Sequence, residues 1–227
     1  METTNNNNSL NWGTNLNGET PKLGKSFPTN THPVKGIEHI LFSSPLIRWE
    51  NVILDNEKGL LDVFYQLKKD YPKMANKSNE GGWQSDNIQS APFMVSIIKM
   101  IEFAVLNQWG SGGFVRDLWI NISGKGHSNA IHSHFHQTKF PQGLTGVYYL
   151  KVPDEKSPLY FYDPSNIDFR EAYFPKAHDL IMFPCNVYHS VAVNQSDEDR
   201  VSVAFNFDTY SVPPSPSVFP IPESFDY

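Results

Sequence analysis

The second half of this chain is a series of short β-branched and aromatic runs, each cut off by turn residues, and that rhythm leaves it few folds. The runs are 117–122, 145–152, 159–162, 180–183, 190–193 and 201–207. Strands at this spacing, with no helical segment between them, call for an all-β sandwich or barrel. Aromatic residues at 14% and 17 prolines fit many strands and turns better than long helices.

The first half reads differently. Residues 37–42 form a plausible first strand. From Leu60, apolar residues at 60, 61, 64, 65 and 67 follow a helical period, and Pro72 ends it. Gly81 to Ser85 reads as a turn. A second, mostly buried helix runs from Pro92 to Leu106, with its proline in the first turn. The expected organisation is a flexible N-terminal arm over 1–32, a folded domain over 33–210 and a Pro-rich tail over 211–227. Within the domain, a helical part spans about 55–110 and a β core about 115–208.

Composition removes several function classes. The net charge is -6 and no basic run occurs, which argues against nucleic acid as a partner. No stretch approaches the roughly 18 consecutive apolar residues of a membrane span. The Asn- and Thr-rich start lacks the basic and apolar regions of a secretory signal. Cys185 is the single cysteine, so no internal disulfide forms and a reducing compartment is the natural setting. A cytoplasmic protein is expected, with a homodimer left open.

Four of the eight histidines fall within ten residues: His127, His132, His134 and His136. On an extended strand, residues i, i+2 and i+4 share a face, so His132, His134 and His136 would line up to grip one ion. Imidazole suits Fe(II), Zn or Cu. A third ligand must come from far along the chain. His189 follows an apolar strand and a Pro-containing turn, a way to present one ring at a barrel mouth. His32 and His39 have no such context, and His178, before Asp179 in a turn, reads as solvated.

Eleven residues after His189 comes Arg200, opening a strand in which Arg200, Ser202, Ala204 and Asn206 share one face. Burying a guanidinium is costly unless it is paired. A dicarboxylate ligand would supply that partner through a bidentate contact, with the Ser202 hydroxyl as a further donor.

Taken in order, these pieces resemble the 2-oxoglutarate/Fe(II) oxygenases, in particular an uncharacterised group common in marine bacteria and phages and related to prolyl hydroxylases. The matching pieces are 82–85, 118–121, 129–134, 145–150, 163–164, 180–184, 189–191 and 200–206. The resemblance implies a double-stranded β-helix, the jelly-roll or cupin-like barrel, with two or more helices packed on it. It implies Fe(II) as cofactor and 2-oxoglutarate as cosubstrate. With O2, an unknown substrate would be hydroxylated and succinate and CO2 released. It makes His132 the first iron ligand and His189 the distal one, and gives the far carboxylate of 2-oxoglutarate to Arg200 and Ser202. A tyrosine of the 145–150 strand reaches the same carboxylate in prolyl hydroxylases. Strand parity selects Tyr149 over Tyr148.

One departure stands out. Most of the superfamily has Asp or Glu where this chain has His134. The uncharacterised group resembles it in carrying His-x-His, with a proline next where this chain has Phe135. Asp163 and His136 compete with His134 as second ligand. Two rival readings are a cupin-like three-His dioxygenase that needs no 2-oxoglutarate and a non-catalytic metal-binding module. Arg200 separates the first rival from the oxygenase, because a cupin has no required use for it.

Overall fold

The computed structural model describes residues 36–41, 44–73, 78–110, 112–135, 143–153 and 157–210. The N-terminal arm, the whole Pro-rich tail and His136 lie outside the described residues. In chain order the elements are β1 (Ile37–Leu41), β2 (Ser44–Trp49), α1 (Glu57–Asp70), β3 (Asn79–Glu80), β4 (Trp83–Gln84), α2 (Val95–Trp109), β5 (Gly113–Ser123), β6 (Ser128–His132), β7 (Leu144–Lys151), β8 (Leu159–Asp163), β9 (Asn166–Tyr173), β10 (Leu180–Pro184), β11 (His189–Val191) and β12 (Arg200–Thr209).

Two antiparallel sheets face each other. The larger has the order β1-β2-β10-β7-β12-β5-β4, and the smaller β3-β6-β11-β8-β9. From β5 onward the chain alternates between them apart from the β8–β9 hairpin, with β5, β7, β10 and β12 in the large sheet and β6, β8, β9 and β11 in the small one. That alternation is a jelly roll, the double-stranded β-helix. β2 and β9 are strands that the sequence pattern does not mark. Every residue of β9 from Asn166 to Ala172 is exposed, so this strand has no buried face to print an alternating pattern.

The large sheet is covered on both faces, which decides how its strands read. On β12, Val201, Val203, Phe205 and Phe207 are fully buried and join a core that includes Phe64 of α1 and Ile97, Ile101 and Val105 of α2. The alternate residues, Arg200, Ser202, Ala204 and Asn206, are buried on the other face, toward the small sheet. A second, smaller core of Leu46, Leu159, Phe161, Ile181 and Phe183 fills part of the space between the sheets. The helices end where sequence chemistry says they should. Pro92 opens the single 3-10 turn before α2, and Gly110 caps α2 in the left-handed region at φ 65°.

The stretch read as a turn, Gly81 to Ser85, is a strand-to-strand crossing. β3 belongs to the small sheet and β4 to the large one, and Gly81 turns between them at φ 80°. Trp83 Nε1 donates to the Tyr71 carbonyl, 2.8 Å, and the Ile120 amide donates to Ser85 Oγ, 2.9 Å. These two anchors leave Gln84, between them, aimed between the sheets.

Candidate metal and cosubstrate site

The residues between the sheets form rows set by strand register. Tyr149 stands opposite Ser202, Ser202 opposite Asn121, and Asn121 opposite Gln84, so a polar row crosses β7, β12, β5 and β4. One row along lie Val147, Ala204 and Trp119. Both rows, with Arg200, line a cavity of about 400 Å³ that the three histidines also line.

The small sheet supplies two of the histidines, and the coil after β6 supplies His134. His132 and His189 are register partners across the β6–β11 pair. Their ring centroids lie 4.3 Å apart, and the His134 ring lies 5.2 Å from each. One ligand atom from each of the three falls within 4.8 Å of the others, the spacing at which they can share a metal ion. The expected strand through His132, His134 and His136 does not form. β6 ends at His132, and His134 sits in the following coil with its amide donating to the Cys185 carbonyl, 2.8 Å. Asp163 is not brought to the cluster. It ends β8, and its carboxylate accepts from the Ser165 amide and hydroxyl in the turn.

The donor set suits a divalent cation. His132 Nδ1 lies 2.7 Å from the Ala130 carbonyl, and His189 Nδ1 lies 3.0 Å from the Val187 carbonyl. A carbonyl only accepts, so Nδ1 carries the proton in both rings and Nε2 is left with a lone pair. Burial drives the His189 pKa well below the ordinary histidine value, and the charges His132 and His134 would carry push it the same way. Burial also lowers His132, against the bond to Ala130. Both rings are therefore neutral near pH 7, the ligating form.

Arg200 is 4% exposed, and among the described residues no carboxylate pairs with it. Its Nη1 donates to the Ser157 carbonyl at 3.4 Å. Burial lowers its pKa, with Tyr149 acting in the opposite direction. Tyr149 in turn is pushed up by burial, with Arg200 pulling it down, so its hydroxyl stays a neutral donor. Tyr148, one residue earlier, faces α1 and donates to Glu57 Oε1, 2.7 Å. His178 is half-buried rather than fully solvated, its Nδ1 2.9 Å from Glu57 Oε1.

Three residues that the sequence motifs contained without a role also face the cavity: Gln84, Trp119 and Asn121. Gln84 Oε1 and Asn121 Oδ1 are buried without a hydrogen-bond partner among the described residues. Parity on β5 places Trp119 and Asn121 on one face, but only register against β4 and β12 shows what that face meets.

Residues 117–206 match the model of a protein family described as "putative 2OG-Fe(II) oxygenase". Over those residues the chain carries a 2OG-Fe(II) oxygenase domain. Its cofactors are those of the family, Fe(II) and 2-oxoglutarate, and it is an oxidoreductase. Solved structures of similar fold include the α-ketoglutarate-dependent epimerase SnoN from nogalamycin biosynthesis, 14% identical over 72% of this chain and 77% of that one, TM-score 0.59. HygX from Streptomyces hygroscopicus, solved with nickel and 2-oxoglutarate, is 9% identical over 73% of this chain and 83% of its own, TM-score 0.55. A prolyl-4-hydroxylase of Pseudomonas putida is 12% identical over 73% of this chain and 93% of its own, TM-score 0.50. At these identities the likeness concerns the fold. No curated protein matches the sequence. No helix among the described residues is long and apolar enough to cross a membrane.

Proposed function

We propose that His132, His134 and His189 hold the Fe(II) of this domain, that Arg200, Ser202 and Tyr149 hold 2-oxoglutarate beside it, and that the enzyme hydroxylates a primary substrate. The observation that carries this reading is Arg200, a buried cation without a carboxylate partner among the described residues, lining the cavity that the histidines line. A buried guanidinium left unpaired is unfavourable, and a dicarboxylate entering the cavity relieves it.

Held by those residues, Fe(II) with 2-oxoglutarate would supply the O2 chemistry of substrate oxidation, with succinate and CO2 as the products of the cosubstrate. This chain's own residues supply the rest. His132 and His189 present Nε2 because backbone carbonyls hold Nδ1–H. Arg200 offers a charged fork to the distal carboxylate, and Tyr149 and Ser202, opposite each other on β7 and β12, add hydroxyl donors. The apolar side chains of Val147, Leu159 and Phe183 line the same cavity and exclude water from it.

The test uses purified protein loaded with Fe(II). Succinate release from 2-oxoglutarate, with or without a substrate, is expected in the wild type. Arg200→Ala is expected to abolish 2-oxoglutarate binding while leaving metal uptake intact. Metal uptake with no 2-oxoglutarate binding in the wild type would overturn the reading in favour of a three-His dioxygenase of another kind.

A further inference from the structure

We propose that Trp119 is a positioning residue of the metal site, its indole face setting the His134 ring so that all three imidazoles converge. The proposal rests on the reading of His132, His134 and His189 as the ligands.

His132 ends a strand and His189 begins one, and each has its Nδ1 on a backbone carbonyl two residues before it. His134 stands in coil, beyond the last residue of β6. Its backbone is tied to Cys185, but a tie at the amide does not choose the ring's orientation. The ring lies flat against Trp119, centroids 5.6 Å apart and planes within 16°. It is also nearly parallel to His189, at 5.2 Å and 8°. His134 thus shares flat contacts with a fixed aromatic and with a second ligand.

Trp119 can act as a fixed face because of where it sits. It is an interior residue of β5, and its register partner on β12 is Ala204, too small to compete for the space above the sheet. The indole comes from the large sheet, while His134 stands in the coil that follows β6 of the small one, so the stack spans the gap between the sheets. The arrangement also accounts for an imidazole at this position. A carboxylate has no flat ring to lay against the indole, whereas an imidazole gains both a wall and an orientation from it. Groups that orient ligands in this way govern metal affinity although they never touch the ion.

The experiment titrates Co(II) into full-length wild type, Trp119→Phe and Trp119→Leu, reading affinity by calorimetry and ligand geometry by visible absorption. Phenylalanine keeps a flat face, and leucine keeps only bulk. Trp119→Leu is expected to bind Co(II) about tenfold or more weakly with an altered spectrum, and Trp119→Phe to stay near wild type. Equal affinity and spectrum in wild type and Trp119→Leu would overturn the proposal, as would equal losses in both variants. Thermal melts of the metal-free forms show whether each variant folds. Should Trp119→Leu not fold, proton NMR of the zinc-loaded wild type decides. His134 ring protons shifted upfield by the indole support the proposal, and ordinary imidazole shifts overturn it. A wild type that takes up neither metal overturns the ligand reading itself, and this inference with it.

Discussion

His132 and His189 face each other across the β6–β11 pair, their ring centroids 4.3 Å apart, although 57 positions separate them in the chain (189 − 132). Burial disfavours protonation of both rings, and at the fully enclosed His189 the neighbouring imidazoles add to the effect. In the unfolded chain each titrates near the ordinary value of about 6.5. A histidine whose folded pKa is depressed binds fewer protons than its unfolded counterpart as pH falls below that value, so the unfolded state gains. Metal-free protein is therefore expected to hold its full stability above about pH 6.5 and to lose it progressively below. Urea melts from pH 8 to pH 5 check this. His189→Gln should flatten the dependence, and an unchanged slope would show that these rings do not control it.

Arg200 carries the second expectation. In the free protein its guanidinium is buried without a carboxylate among the described residues, which is a cost to folding. Arg200→Met removes the charge and keeps the length. Metal- and ligand-free Arg200→Met is expected to be more stable than wild type by about 1–3 kcal/mol. The wild type, but not the variant, should then gain thermal stability when 2-oxoglutarate is added. A destabilised variant in differential scanning calorimetry would mean that Arg200 is already satisfied in the free protein.

How far the sequence disclosed this site depends on the element that holds each residue. Arg200, Ser202 and Tyr149 sit on long, largely buried strands where parity alone selects a face, and all three line the cavity. The turn before His189 was legible because Pro184 closes an apolar run. His134 lies beyond the strand that its spacing predicts, because period-2 spacing says nothing about where a strand ends. The strand β9 was invisible because neither face is buried, and the β3–β4 crossing looked like a turn because each strand has only two residues. Gln84, Asn121 and Trp119 were present in the motifs, yet their shared destination is a property of register between strands, which local sequence does not encode.

Gln84 gives a prediction of opposite sign from most buried substitutions. Its Oε1 is buried without a partner among the described residues and lies beside Asn121, whose Oδ1 is in the same state. An unsatisfied buried acceptor costs about 1–3 kcal/mol, and an apolar side chain of similar shape avoids that cost. Gln84→Leu is expected to stabilise the metal-free protein by about 1 kcal/mol without changing Co(II) affinity. Chemical denaturation measures it. A loss of stability would mean that the two amides bond to each other and serve the fold.

Asp179 shows what holds the edge of the large sheet next to the site. It is 1% exposed and accepts two bonds from Arg48 Nη2 and one from Arg48 Nε, at 2.8–3.1 Å. The Tyr173 hydroxyl and the Lys176 amide also donate to it. One carboxylate thereby ties β2, the end of β9 and the approach to β10, while its own carbonyl accepts from the Tyr149 amide. Arg48 keeps some solvent contact and a second partner in Glu50, so removing the carboxylate strands it only in part. Asp179→Asn retains the size but loses the charge, and one of its two acceptor oxygens becomes a donor facing Arg48. A loss of about 2–4 kcal/mol is expected, below or within the range for breaking a fully buried pair. Because Tyr149 is anchored to the same residue, weaker 2-oxoglutarate binding should accompany the lost stability. Equilibrium unfolding and a 2-oxoglutarate titration of the folded variant measure the two effects separately. Lost stability with unchanged 2-oxoglutarate affinity would confine Asp179 to the sheet edge and leave Tyr149 independent of it.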